Sequence, residues 1–156
     1  MRCSPKGGKE EGMKETQFSI EIIASKERVW VTLWQDETFR DWANIIDEGT
    51  YMKGLMKEGN EIQFLSSGGY GVTSLIKKLT PYEYVLFNHG SDTKEYGQQE
   101  RDKEWSGGRE SYALSEKNGV TTLVVNTDVP QELEELFRIR IPQALNRIKT
   151  LAERHE

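Results

Sequence analysis

The chain has 156 residues, 35% hydrophobic and 30% charged, with four Trp, six Tyr and five Phe, enough for one domain with a real core and too few for two. Its 21 Lys and Arg stand against 26 Asp and Glu, a net charge of -5, the wrong sign for a surface that neutralises nucleic-acid phosphates or an anionic membrane. The single Cys3 offers no internal disulfide and no zinc cluster, and no apolar run reaches the about 20 residues of a spanning helix.

These features fit a cytoplasmic protein that uses neither nucleic acid nor membrane as a partner. Residues 1–12, MRCSPKGGKEEG, carry no periodic apolar residue and read as a disordered tail ahead of one domain over 13–156. Lys9-Glu10-Glu11-Gly12 also back-translates to purine-rich codons containing AAGGAGG, a bacterial ribosome-binding sequence, just before Met13. Two readings stay open: a charged tail, or a leader with Met13 as the start.

Alternation of Phe18, Ile20 and Ile22 against Gln17, Ser19 and Glu21 predicts a half-buried strand over 16–24. Ser25 then caps a helix in which Val29, Trp30, Leu33 and Trp34 fall at helical spacing. Asp36 is the expected cap of a second helix bearing Phe39, Trp42, Ala43 and Ile46. Strands follow over 50–52, 61–65, 72–79 and 84–89, a polar loop over 90–103, and a hairpin of 105–114 with 120–127 around Asn118-Gly119. Asp128 and Pro130 suit the start of a long helix with Leu133, Leu136, Phe137, Ile141, Ala144, Leu145 and Ile148 on one face, kinked by Pro142. This is an α+β order in which an antiparallel sheet packs one face on a helix.

Ile22-Ile23-Ala24-Ser25-Lys26-Glu27-Arg28-Val29-Trp30, then Leu33-Trp34 and Trp42, resembles the opening of START-like (SRPBCC, Bet v 1-like) domains. Leu79-Thr80-Pro81-Tyr82-Glu83-Tyr84-Val85, Gly119-Val120-Thr121-Thr122-Leu123-Val124-Val125 and Ala144-Leu145-Asn146-Arg147-Ile148-Lys149 extend the likeness over roughly 16–152. Within that superfamily the chain is most similar to the branch related to the activator of the heat-shock protein 90 ATPase. The resemblance implies a helix-grip fold, a curved antiparallel sheet around the C-terminal helix, with a ligand cavity between them.

The cavity wall then falls to Trp34, Trp42, Phe64, Phe87, Tyr112, Phe137 and Ile141, unless these side chains simply fill a solid core. His89 shares inward parity with Val85 and Phe87 but has no partner evident in the sequence. Glu110 shares the parity of Tyr112, where an inward carboxylate is costly; outward is its default, and a polar pole with Tyr112 the alternative. Gly68-Gly69-Tyr70-Gly71 fits no nucleotide fingerprint and reads as a hairpin turn with Tyr70 placed to gate the cavity. Asp36, Glu37, Asp41, Asp47 and Glu48 read as a solvated acidic face.

No hydrolase or metalloenzyme motif is present, so no catalytic residue, metal or cofactor is assigned. The leading expectation is non-catalytic binding of a small hydrophobic or amphipathic ligand. The alternatives are a chaperone-interaction module, implied by the resemblance, and a cyclase or hydrolase using His89 in the same cavity.

Overall fold

The alternation at the start of the domain becomes β1 (Met13–Ile22), with Phe18, Ile20 and Ile22 inward and Gln17, Ser19 and Glu21 exposed. The computed structural model of the chain describes residues 13–67, 70–94 and 108–154, with backbone alone at 70 and 91–94. The expected tail over 1–12 lies outside the described residues.

Ser25 caps α1 (Lys26–Trp34), its hydroxyl accepting from the Arg28 amide at 3.1 Å. Asp36 is not the cap of α2 (Asp36–Ile46) but its first residue. Gln35 closes α1 through the Val31 carbonyl and opens α2, so one residue serves both ends and no side chain caps the second helix. The Asp36 carboxylate instead pairs with Arg40 at 2.9 Å.

The chain then runs through β2 (Tyr51–Lys53), β3 (Glu61–Leu65), β4 (Tyr70–Thr80), β5 (Tyr84–Lys94), β6 (Arg109–Lys117) and β7 (Val120–Pro130). Together with β1 they form one seven-stranded antiparallel sheet in the order β1-β7-β6-β5-β4-β3-β2. Asn118 and Gly119 turn the last hairpin with φ of 55° and 82°, which pairs Lys117 with Val120.

Strands β5 and β7 run further than their local pattern indicates. β5 continues past His89 because β4 pairs with it as far as Tyr70 opposite Lys94, so residues 90–94 are strand; the remaining loop, 95–103, lies outside the described residues. β7 continues past Thr127 because β1 pairs with it as far as Met13 opposite Pro130. Asp128 is therefore not a helix cap. It is 2% exposed within the strand and accepts from the Arg109 amide at 2.9 Å.

A 3₁₀ turn (Gln131–Leu133) leads into α3 (Glu134–Glu153), which contains Pro142 without a break. Phe137, Ile141, Ala144, Leu145, Ile148 and Ala152 form its buried face against the sheet and the early helices, while Leu136 is 37% exposed. Polar ties fix the C-terminal half of α3. Arg147 makes a bidentate pair with Asp41 of α2 at 2.7 and 3.0 Å, and Arg28 of α1 donates to the Ala152 and Arg154 carbonyls at 2.8 and 2.9 Å. This is a helix-grip architecture, with the core between sheet and helix built around Ile22, Val29, Leu33, Ile62, Val85, Leu123 and Ile148.

Candidate functional site

Toward the β3–β4 end, the layers separate and leave a cavity of about 380 Å³. Trp34, Phe39 and Trp42 from the early helices, Phe64, Phe87 and Tyr112 from the strands, and Phe137 from α3 line it. The rings meet edge to face: Trp34 lies 4.9 Å from Tyr112 at 83° and 5.6 Å from Phe87 at 68°, and Phe64 lies 5.1 Å from Phe87 at 86°. Rings propped in this way hold the space open, because collapsing it would break pairs worth about 0.5–1.5 kcal/mol each.

One end of the cavity is polar. Glu110 and Tyr112 are two residues apart on β6 and share its inner face, so the Tyr112 hydroxyl donates to Glu110 Oε2 at 2.6 Å. His89 lies diagonally across on β5, where Phe87 stands opposite Glu110, and its Nε2 is 3.2 Å from Glu110 Oε1. On its other side His89 Nδ1 lies 2.6 Å from Ser74 Oγ of β4.

That last contact depends on a bulge. The β4–β5 register shifts between Thr73 and Ser74, so Thr73 faces Ser91 while Ser74 faces His89, and Gly90 is the extra residue. An ionised carboxylate only accepts, so His89 Nε2 carries the hydrogen toward Glu110. Burial, then the charge of Glu110 and the hydrogen bond to it, push the Tyr112 phenol well above its ordinary range. Tyr112 therefore stays protonated as the donor.

Of the expected cavity residues, Trp34, Trp42, Phe64, Phe87, His89, Glu110, Tyr112 and Phe137 come together on this one wall. Ile141 does not: it is 6% exposed, buried in the core one turn beyond Phe137. Tyr70 begins β4 opposite Lys94, and its side chain, with the expected gating role, lies outside the described residues, as do Gly68 and Gly69. Glu110 faces inward rather than outward, because Tyr112 and His89 supply the hydrogen bonds that make a half-buried carboxylate tolerable. Two members of the expected acidic face do more than meet solvent, although Asp47 is exposed as expected. Asp47 lines the cavity, and Asp41 is held by Arg147.

Ser74, Phe39 and Arg140 were not legible as site residues. Ser74 shares β4 parity with the inward Val72 and Ile76, which was the available signal. Arg140 sits on the wall with its guanidinium on the Ile46 carbonyl at 3.0 Å. Among the described residues no group of three or more His, Cys, Asp or Glu is placed to hold a metal ion, and no helix is long and apolar enough to cross a membrane.

The sequence matches no protein-family model and no curated protein. Solved structures do match. Protein MLL2253 from Mesorhizobium loti superposes with a TM-score of 0.72 at 12% identity, over 92% of this chain and 99% of that one. The Aha1 dimer from Colwellia psychrerythraea gives 0.67 at 19%, over 90% and 97%. DynU16, from the dynemicin biosynthetic locus, gives 0.66 at 12%, over 90% of this chain; the chain spans only 47% of DynU16. These likenesses, all at low identity, establish the fold, a helix grip.

Proposed function

We propose that this domain binds a small hydrophobic or amphipathic molecule in the cavity between sheet and α3, acting in the cytoplasm and without chemistry of its own. The observation that carries the reading is the cavity of about 380 Å³, walled by aromatic rings and ending in the Glu110–His89–Tyr112 cluster. Its size falls in the range of small-molecule sites, apolar with a few placed polar groups. His89 supports a binding role over an acid–base one because it and its partner Ser74 are 2% and 1% exposed, which leaves neither open to a substrate.

Native mass spectrometry of freshly purified protein, followed by a lipid and aromatic panel, tests the proposal. A bound ligand should quench or shift Trp34 and Trp42 emission and move the NMR signals of Phe87, Tyr112 and Phe137. No co-purifying mass and no shift across the panel would refute it. The likeness to the Aha1 dimer favours a second reading, a module that engages a chaperone through the sheet exterior and the early helices. In that case a chaperone domain would perturb exposed faces and leave the cavity signals unmoved.

A further inference from the structure

The cavity is charged on one side. Of the polar cluster, Glu110 is the member left open to the space: its side chain keeps 23% exposure, against 1% for His89, and Tyr112 is 5% exposed. Its two donors, a phenol and an imidazole nitrogen, orient the carboxylate and neither is a permanent cation. Among the described residues the acidic groups on the wall are Glu110 and Asp47 and the basic one is Arg140, whose guanidinium donates to the Ile46 carbonyl at 3.0 Å. Each carboxylate oxygen has more than one acceptor site, so Glu110 retains capacity for a further donor. Trp34, Phe64 and Phe87 on the same wall are aromatic, and the faces of such rings attract positive charge.

We infer that the cavity selects amphipathic amines, with a protonated nitrogen donating to Glu110 and an apolar body against Trp34, Phe64 and Phe87. This rests on the cavity being a binding site and adds the chemical class of its occupant. A cation on Glu110 gains a charge-assisted hydrogen bond in a setting with little water to screen it. A carboxylate ligand would meet like charge at that end. Ser74 and His89 are positioning residues: the bulge at Gly90 sets the serine on the imidazole, and the imidazole sets the angle of Glu110.

The test is calorimetric titration with three probes of one shape: phenylbutylamine, phenylbutanol and phenylbutyrate. The amine should bind about tenfold or more tighter than the alcohol, the order expected of a charge-assisted bond, and the butyrate weakest. Glu110→Gln should bring the amine to within about threefold of the alcohol. Tyr112→Phe, which keeps the carboxylate and removes one of its donors, should preserve the amine preference. Should Glu110→Gln fail to fold, the ¹³C carboxyl resonance of Glu110 in the parent protein gives the same information, shifting with the amine and not with the alcohol. An alcohol that binds as tightly as the amine, a preference that survives Glu110→Gln, or an unmoved Glu110 resonance overturns the inference and leaves the cavity reading standing. Failure of all three probes to bind overturns both.

Discussion

Gly71→Ala offers a test of the architecture in which even the sign of the effect is informative. Gly71 has no positive φ, and at such a position an added methyl ordinarily stabilises by about 0.4–1 kcal/mol through the unfolded chain. Here a Cβ would lie 1.7 Å from the Phe64 carbonyl oxygen, 2.7 Å from its carbon and 2.8 Å from Leu65 Cα. All three are backbone atoms, so no rotamer change relieves the clash, and the strands would have to part by well over an ångström. β3 cannot move aside freely, because Leu65 and Phe64 pair with Tyr51 and Met52 on the other side. The loss comprises ladder bonding near Leu65 and Gly71, at about 0.5–1.5 kcal/mol net per bond, and the Phe64–Phe87 ring pair, at about 0.5–1.5 kcal/mol. The expected destabilisation is about 2–4 kcal/mol, read as a lowered urea midpoint. Phe64 and Gly71 both line the cavity, so ligand affinity should fall with it. A variant as stable as the parent, or more so, would refute the close strand approach.

Three further substitutions probe the core, the helix ties and the cap. Phe87 is fully buried among Trp34, Phe64 and Tyr112, and Phe87→Ala should cost about 3–5 kcal/mol in chemical denaturation; a loss under about 2 kcal/mol would mean that the rings relax into the space. The Arg147 hydrogen bond, with the nearby charges of Arg147 and Arg154, holds the Asp41 carboxyl below its ordinary 3.8 against the opposing effect of burial. Its contribution is therefore present above that value and is lost as pH falls through the lower folded one. Both side chains keep 36% exposure, so Asp41→Asn should cost about 0.5–1 kcal/mol near neutral pH, with the gap to the parent closing in acid; a constant gap would exclude the ion pair as its cause. Ser25→Ala should remove about 1 kcal/mol by taking away the cap on the Arg28 amide, checked by thermal unfolding, and an unchanged midpoint would deny the cap an energetic role.

The elements that were legible are those whose signal is local. Phe18, Ile20 and Ile22 alternate because a strand turns successive side chains to opposite faces, and Ser25 and Asn118-Gly119 mark their own ends by capping and by positive φ. Asp128 misleads because its composition suits a helix start, whereas pairing of β1 with β7 keeps it in a strand. Glu110 misleads for a related reason. Its inward parity was visible, but the donors that make it tolerable, Tyr112 and His89, are fixed by side-chain geometry within and across strands.

The sequence by itself determined the order of elements, the inward faces of β1, the early helices and α3, and which aromatic residues could look toward α3. Those properties follow from backbone periods that each segment carries alone. Only the tertiary structure decided which inward residues meet, and that they leave about 380 Å³ open among them. Register depends on partners distant in the chain, such as the bulge at Gly90 that sets Ser74 against His89. Cavity volume depends on how edge-to-face rings from separate elements prop against one another, a property of the assembled layers that no single segment contains.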